Sequence, residues 1–178
     1  PRQPTKTYIA QGCDKEGRLT FREVRMILDN GAYTSWGATT PSVMMLPVSS
    51  LYRVPNVFYE TKIVYTNNTY CQAMRGYGNP QATWPIESNV DQLAEAVGMD
   101  PFAFRMLNSN IPNEITPMGL EITTCGLKEC LQGVAEKLDW KRNWGRGRKE
   151  ASPHHSTGIE GGQARGVGMA CLFHVGGS

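Results

Sequence analysis

Ile86, Val90, Leu93, Ala94 and Val97 constrain this chain more than any other feature. They fall on one face of a helix, which must then be buried against a second layer of structure. Gly98 is placed to end that helix, and Pro85 stands near its start. If helicity begins at Gln81, Pro85 removes a hydrogen bond in the second turn, so the regular helix is expected to start near Trp84 or to kink there. Asp100 and Pro101 then read as the N-cap and first residue of another helix, with Met99 and Phe104 spaced to staple across the cap. Leu127, Cys130, Leu131, Val134 and Leu138 mark a third amphipathic helix, expected to pack on a sheet.

The sheet is read from alternation. Thr7 to Gln11 is a strand, Asp14-Lys15-Glu16-Gly17-Arg18 has hairpin chemistry, and Leu19 to Leu28 is the partner strand. The apolar phase of that strand switches from Leu19 and Phe21 to Val24, Met26 and Leu28, which predicts a β-bulge near Arg22. Thr40 and Pro41 read as the cap and first turn of a short helix. Val57, Tyr59, Thr61, Ile63 and Tyr65 alternate as a half-buried strand, and Asn67-Asn68-Thr69 is a turn. Arg165 to Phe173 reads as a buried strand. Strands and helices without a regular βαβ rhythm give an α+β class, a mixed sheet with packed helices.

Three segments are expected: 1–140 as the first part of one domain, 141–165 as a basic and small-residue linker or exposed loop, and 166–178 as the start of the next strand region of the same domain. The chain starts at Pro1 and stops just after an apolar run, so it reads as an excised piece or a processed subunit. A net charge of +2 in 178 residues gives no general argument for nucleic acid or an anionic membrane. No apolar run is long enough to span a membrane and no signal peptide is visible. The five cysteines lack CxxC spacing, so they read as buried free thiols in a reducing cytoplasm rather than a disulfide framework or zinc site.

Met74-Arg75-Gly76-Tyr77-Gly78-Asn79-Pro80-Gln81 is the strongest local signal for chemistry. Its glycines let a backbone approach a ligand, and free amides at a helix start attract an anionic group. A plain strand-to-helix turn has the same composition. Elsewhere the bland readings weigh more. Glu87 and Asp91 are two surface carboxylates on one helix face, His154-His155 lacks further ligands, His174 is a packing residue, and Trp144 lies in a solvated basic loop.

The order and spacing of Tyr52-Arg53-Val54-Pro55-Asn56, Tyr65-Thr66-Asn67, Ala73 to Gln81, Glu87-Ser88, Asp91 to Glu95 and Gly98 to Phe102 resemble the large, molybdopterin-binding subunits of the xanthine oxidase family. Ser42 to Met45 and Ser49 to Asn56 look closest to the 4-hydroxybenzoyl-CoA reductase α-subunit branch. The resemblance implies a molybdenum oxidoreductase acting on an aromatic, N-heterocyclic or aldehyde substrate. It implies molybdenum-molybdopterin, in the cytosine dinucleotide form, with 2Fe-2S clusters and FAD on partner subunits. The remainder of the molybdenum subunit would complete the centre. It also implies that Met74, Arg75 and Gly76 contact the cofactor, largely through backbone amides, and that Tyr77 lines the substrate pocket. Val43 stands where purine-oxidising members carry an arginine, which argues against a purine, and the Tyr77 hydroxyl should make the pocket more polar. No residue here aligns with the catalytic glutamate, so the piece alone is expected to be inactive. The alternative is a non-catalytic scaffolding module that keeps the fold.

Overall fold

The computed structural model describes residues 1–144 and 167–174. They fall into two compact units, one of Pro1–Cys125 with the segment from Cys171, the other spanning Gly126–Ala170. In the first unit, β1 (Thr5–Cys13) and β2 (Leu19–Gly31) form an antiparallel hairpin. Its turn closes through the amide of Asp14 on Arg18 O and that of Gly17 on Asp14 O, with Gly17 at φ 84°. A 3₁₀ turn (Trp36–Ala38) and α1 (Thr40–Ser50) then carry the chain to β3 (Asn56–Tyr65), which pairs with β2 in parallel. The sheet order is β1-β2-β3. After it come α2 (Asn79–Ala96), α3 (Pro101–Asn108), a two-strand hairpin of β4 (Glu114–Ile115) and β5 (Glu121–Ile122), and α4 (Leu127–Lys137). A mixed sheet packed with helices is the α+β class expected.

The helices α1 and α2 cover one face of the sheet and meet each other, with α3 against α2. Val24, Met26 and Leu28 from β2, Met44 and Val48 of α1, and Ile86, Val90 and Ala94 of α2 are all buried and make up the core of this unit. The opposite face keeps Tyr8, Phe21, Ile27 and Phe58 in solvent.

Several expectations shift. The bulge lies at Thr20, because Gly12 pairs with Phe21 while Cys13 pairs with Leu19. Phe21 is therefore turned outward, and Arg22 shares the inner face with Val24. Thr39, not Thr40, caps α1, with no side-chain hydrogen bond to the helix amides, and the helix continues through Pro47. The α2 helix begins at Asn79 and runs through Pro85 rather than starting near Trp84, because Pro80 sets the first turn. Its end is the glycine stop expected. Gly98 sits at φ 68°, and the amides of Gly98 and Met99 return to Glu95 O and Ala94 O. Asp100 caps α3 by accepting from the amides of Phe102 (2.7 Å) and Ala103 (3.2 Å).

Residues 167–174 form no strand ladder, although exposure still alternates and Cys171 points inward. The inner periodicity was real, but a partner strand is a long-range fact that alternation does not carry. The α4 helix belongs to the second unit, and of its residues only Leu131 is buried there. Within the first unit, the helical cover of the sheet comes from α1 and α2. Trp140 and Trp144 stack with ring centres 5.0 Å apart, so Trp144 has a ring partner rather than lying in a solvated loop. The expected linker is described only as far as Trp144; the rest of it and His154-His155 lie outside the described residues. The five cysteines are free, but only Cys71 and Cys171 are buried and Cys130 is exposed.

Candidate functional site

The loop from Met74 to Gly78 turns on itself before α2. The amide of Tyr77 donates to Met74 O (2.7 Å) and that of Asn79 to Gly76 O (2.9 Å). Gly76, Tyr77 and Gly78 are all left-handed, at φ 87°, 42° and 97°. Glycine makes that run affordable at two of the three positions. Gly78 is also a contact. A Cβ there would stand 2.8 Å from Met44 Cγ and 3.1 Å from Thr40 O, so the loop lies hard against the start of α1. From the other side Arg2 donates to Arg75 O (2.7 Å) and to Gln81 Oε1 (2.9 Å).

Met74, Arg75 and Gly76 are therefore held by both ends yet exposed. No acidic residue stands in the first turn of α2, so nothing on the helix itself offsets the positive end of its dipole. Asn79, buried at that first turn, leaves Oδ1 without a hydrogen-bond partner, and its Nδ2 lies 2.6 Å from His174 Nδ1. His174 is exposed and polar-bonded, not the packing residue expected. A groove of about 550 Å³ opens beside the loop, shared by Arg2, Pro80, Gln81 and Trp84 with the inner face of β1.

Tyr77 points along the 3₁₀ turn. Its hydroxyl donates to Trp36 O (3.0 Å) and touches Thr39 Oγ1, and its ring meets Trp36 edge-on, with centroids 6.4 Å apart. Partial desolvation of the residue pushes the phenol pKa above its usual value. Val43 is half-buried on α1, one turn into the helix whose Thr40 and Met44 hold the loop.

Glu87 is not on the surface. It is buried, with Oε1 accepting from Tyr52 (2.6 Å) and Oε2 from Arg105 Nε (2.9 Å), Arg105 Nη2 (2.8 Å) and the Cys171 amide (3.0 Å). Asp91 takes Arg105 Nη1 at 2.7 Å. Desolvation works against the charge of Arg105, but Glu87, Tyr52 and Asp91 outweigh it and raise its pKa. The cluster is structural, as expected for Glu87 and Asp91, but Glu87 lies in the core while Asp91 stays at the surface. Helix period alone shows the two carboxylates on one face and cannot show that Arg105 comes to meet them.

Trp36, Thr39 and Arg2 escaped the sequence reading. Each meets a partner far away in sequence, through a backbone carbonyl, a ring edge or a hydroxyl, for which local pattern holds no signal. Among the described residues no cluster of His, Cys, Asp or Glu could hold a metal ion, and no helix is long and apolar enough to cross a membrane.

The family described as Molybdopterin cofactor-binding domain matches residues 1–109. The xanthine dehydrogenase molybdenum-binding subunit of Escherichia coli O157:H7 is 32% identical over 165 residues, which cover 92% of this chain and 21% of that protein. The nicotinate dehydrogenase large molybdopterin subunit of Eubacterium barkeri is 36% identical over 141 residues, covering 79% of this chain and 32% of that one. The solved structure of aldehyde oxidoreductase from Desulfovibrio gigas superimposes with a TM-score of 0.76 at 28% identity, over 85% of this chain and 16% of that chain. The chain thus spans about a fifth to a third of the length of these curated relatives.

Proposed function

This chain belongs to the molybdopterin cofactor-binding domain family, in the form found in molybdenum-binding subunits of xanthine oxidase-type enzymes, and from that premise we propose that it supplies one wall of a molybdenum oxidoreductase centre. The observation that carries the reading is the Met74–Gly78 loop, held at both ends and open to approach at Arg75 and Gly76. Its residues fit an anionic pterin cofactor. The backbone at Gly76 carries no side chain to keep a ligand away, and the adjoining helix end has no competing carboxylate.

In this reading Met74, Arg75 and Gly76 hold the cofactor through main-chain donors, while the Arg2 clamp on Arg75 O fixes the direction those donors face. When bound, the cofactor supplies exchange of oxygen and electrons with a carbon centre of the substrate. Tyr77 and Val43 line the substrate side. A valine at position 43 offers no cation for a purine carbonyl, which favours a simple aromatic, N-heterocyclic or aldehyde substrate. Ser42 to Met45 and Ser49 to Asn56 support the 4-hydroxybenzoyl-CoA reductase branch within that range. The cytosine dinucleotide form of the cofactor, and iron–sulfur and FAD subunits as electron acceptors in the cytoplasm, complete the proposal.

The test compares Arg75→Ala with Gly76→Val in the complete enzyme that carries this chain. Misplacing a reacting group by about 1 Å costs roughly 100-fold in rate, and a β-branched residue at φ 87° must shift the backbone. Gly76→Val is expected to lose about that much turnover at saturating substrate, and Arg75→Ala clearly less, with molybdenum content measured for both. An Arg75→Ala enzyme that is fully loaded but dead, beside a working Gly76→Val enzyme, refutes the backbone cradle.

A further inference from the structure

The geometry points to Trp36 and Thr39 as positioning residues that pin Tyr77, so that the tyrosine shows a ring and not a hydroxyl to the substrate. The inference rests on the reading of Tyr77 as pocket wall and reverses the expectation that this hydroxyl makes the pocket more polar. A phenol has one proton to give. Here it is directed to Trp36 O at 3.0 Å, and the oxygen's other side is occupied by the Thr39 hydroxyl.

Backbone alone does not orient this side chain. Tyr77 is left-handed between two left-handed glycines, outside any helix or strand ladder. The hydroxyl bond and the edge-on Trp36 ring at 6.4 Å supply the missing constraint. The anchor is itself fixed, because Trp36 O also accepts from the Thr39 amide (3.1 Å) and closes the 3₁₀ turn. Phenylalanine at this position would keep the ring and lose the pin. The difference between the two residues is therefore one of ring mobility rather than pocket polarity.

Two substrates that differ only by a ring hydroxyl separate the alternatives in the complete enzyme. Loss of one net hydrogen bond is worth about 2- to 10-fold in an equilibrium. Tyr77→Phe is expected to raise KM for both substrates by a common factor in that range, with kcat changed by less than about twofold. Thr39→Val should move KM the same way, and Thr39→Ser should restore it. A penalty confined to the hydroxylated substrate would mean that the Tyr77 hydroxyl serves the ligand, and the proposal fails. If Tyr77→Ala changes neither KM, the pocket reading fails and takes the proposal with it. A proton NMR measurement on the 178-residue chain isolates the pin from turnover. Nuclear Overhauser contacts between the Trp36 and Tyr77 rings are expected, and their absence removes the pin while leaving the pocket reading standing.

Discussion

Arg105 is fully buried between two carboxylates, and its loss would strand Glu87 without a counter-charge. Removing one partner of a buried ion pair costs about 3–5 kcal/mol, so Arg105→Met is expected to lower unfolding stability by that order in a urea titration. A double variant that also replaces Glu87 by Gln should recover part of the loss. Asp29 gives a pH test. Its carboxylate accepts from Thr66 Oγ1 and Asn68 Nδ2 (both 2.6 Å) and from the Gly31 amide (2.8 Å), which holds its pKa below 3.8. A depressed acid stabilises the fold above its unfolded pKa and loses that contribution as pH falls through the folded value. Thermal melts between pH 5 and about 2 should therefore show less acid sensitivity in Asp29→Asn than in the parent; equal sensitivity would show that these bonds carry no linkage. Of these residues the sequence announces only charge. Asp100 was legible as a cap because its partners are two and three residues away, whereas the partners of Glu87 lie 18, 35 and 84 residues away.

At the level of elements, β2 and α1 are joined by Arg22. Its Nη1 reaches the carbonyls of Pro47 (3.1 Å), Val48 (2.7 Å) and Leu51 (3.0 Å), the last turn of α1, while Nε binds Gln11 Oε1 at 2.6 Å. Burial pulls its pKa down to about 10, so it stays charged at neutral pH. Pro47 O also accepts from the Leu51 amide (3.1 Å), and Arg22 adds a donor to carbonyls at a helix end, where the intrahelical set runs out. Arg22→Met is expected to cost about 3 kcal/mol and to speed amide exchange at the end of α1 and the residues just after it, including Leu51, more than in α2. Uniform acceleration across both helices would show that the cap is not local. The apolar phase switch in β2 was readable as a bulge, but not its position. Hydrophobicity favours Phe21 inward, and the register puts the guanidinium there instead. Helix stops and caps were readable because glycine and proline act locally. The parallel pairing of β2 with β3 and the missing ladder at 167–174 depend on which segments meet, so pattern left them undetermined.

At the scale of the whole chain, the left-handed turn before α2 was legible because glycines, proline and motif order coincide, whereas the Trp36 contact was not. The loop is one stretch of backbone in a chain that covers about a fifth of the length of a matched relative. Metal analysis of the purified 178-residue protein is accordingly expected to show molybdenum far below one per chain, and a stoichiometric signal would mean that this loop suffices to hold the group. Glu87 binds the amide of Cys171, 84 residues downstream. At a synthesis rate of about 5–20 residues per second, roughly 4–17 s separate the two on the ribosome. Arg105 follows Glu87 within about 1–4 s on the same scale. Arg105 is therefore available to this carboxylate well before the segment carrying Cys171 has been made.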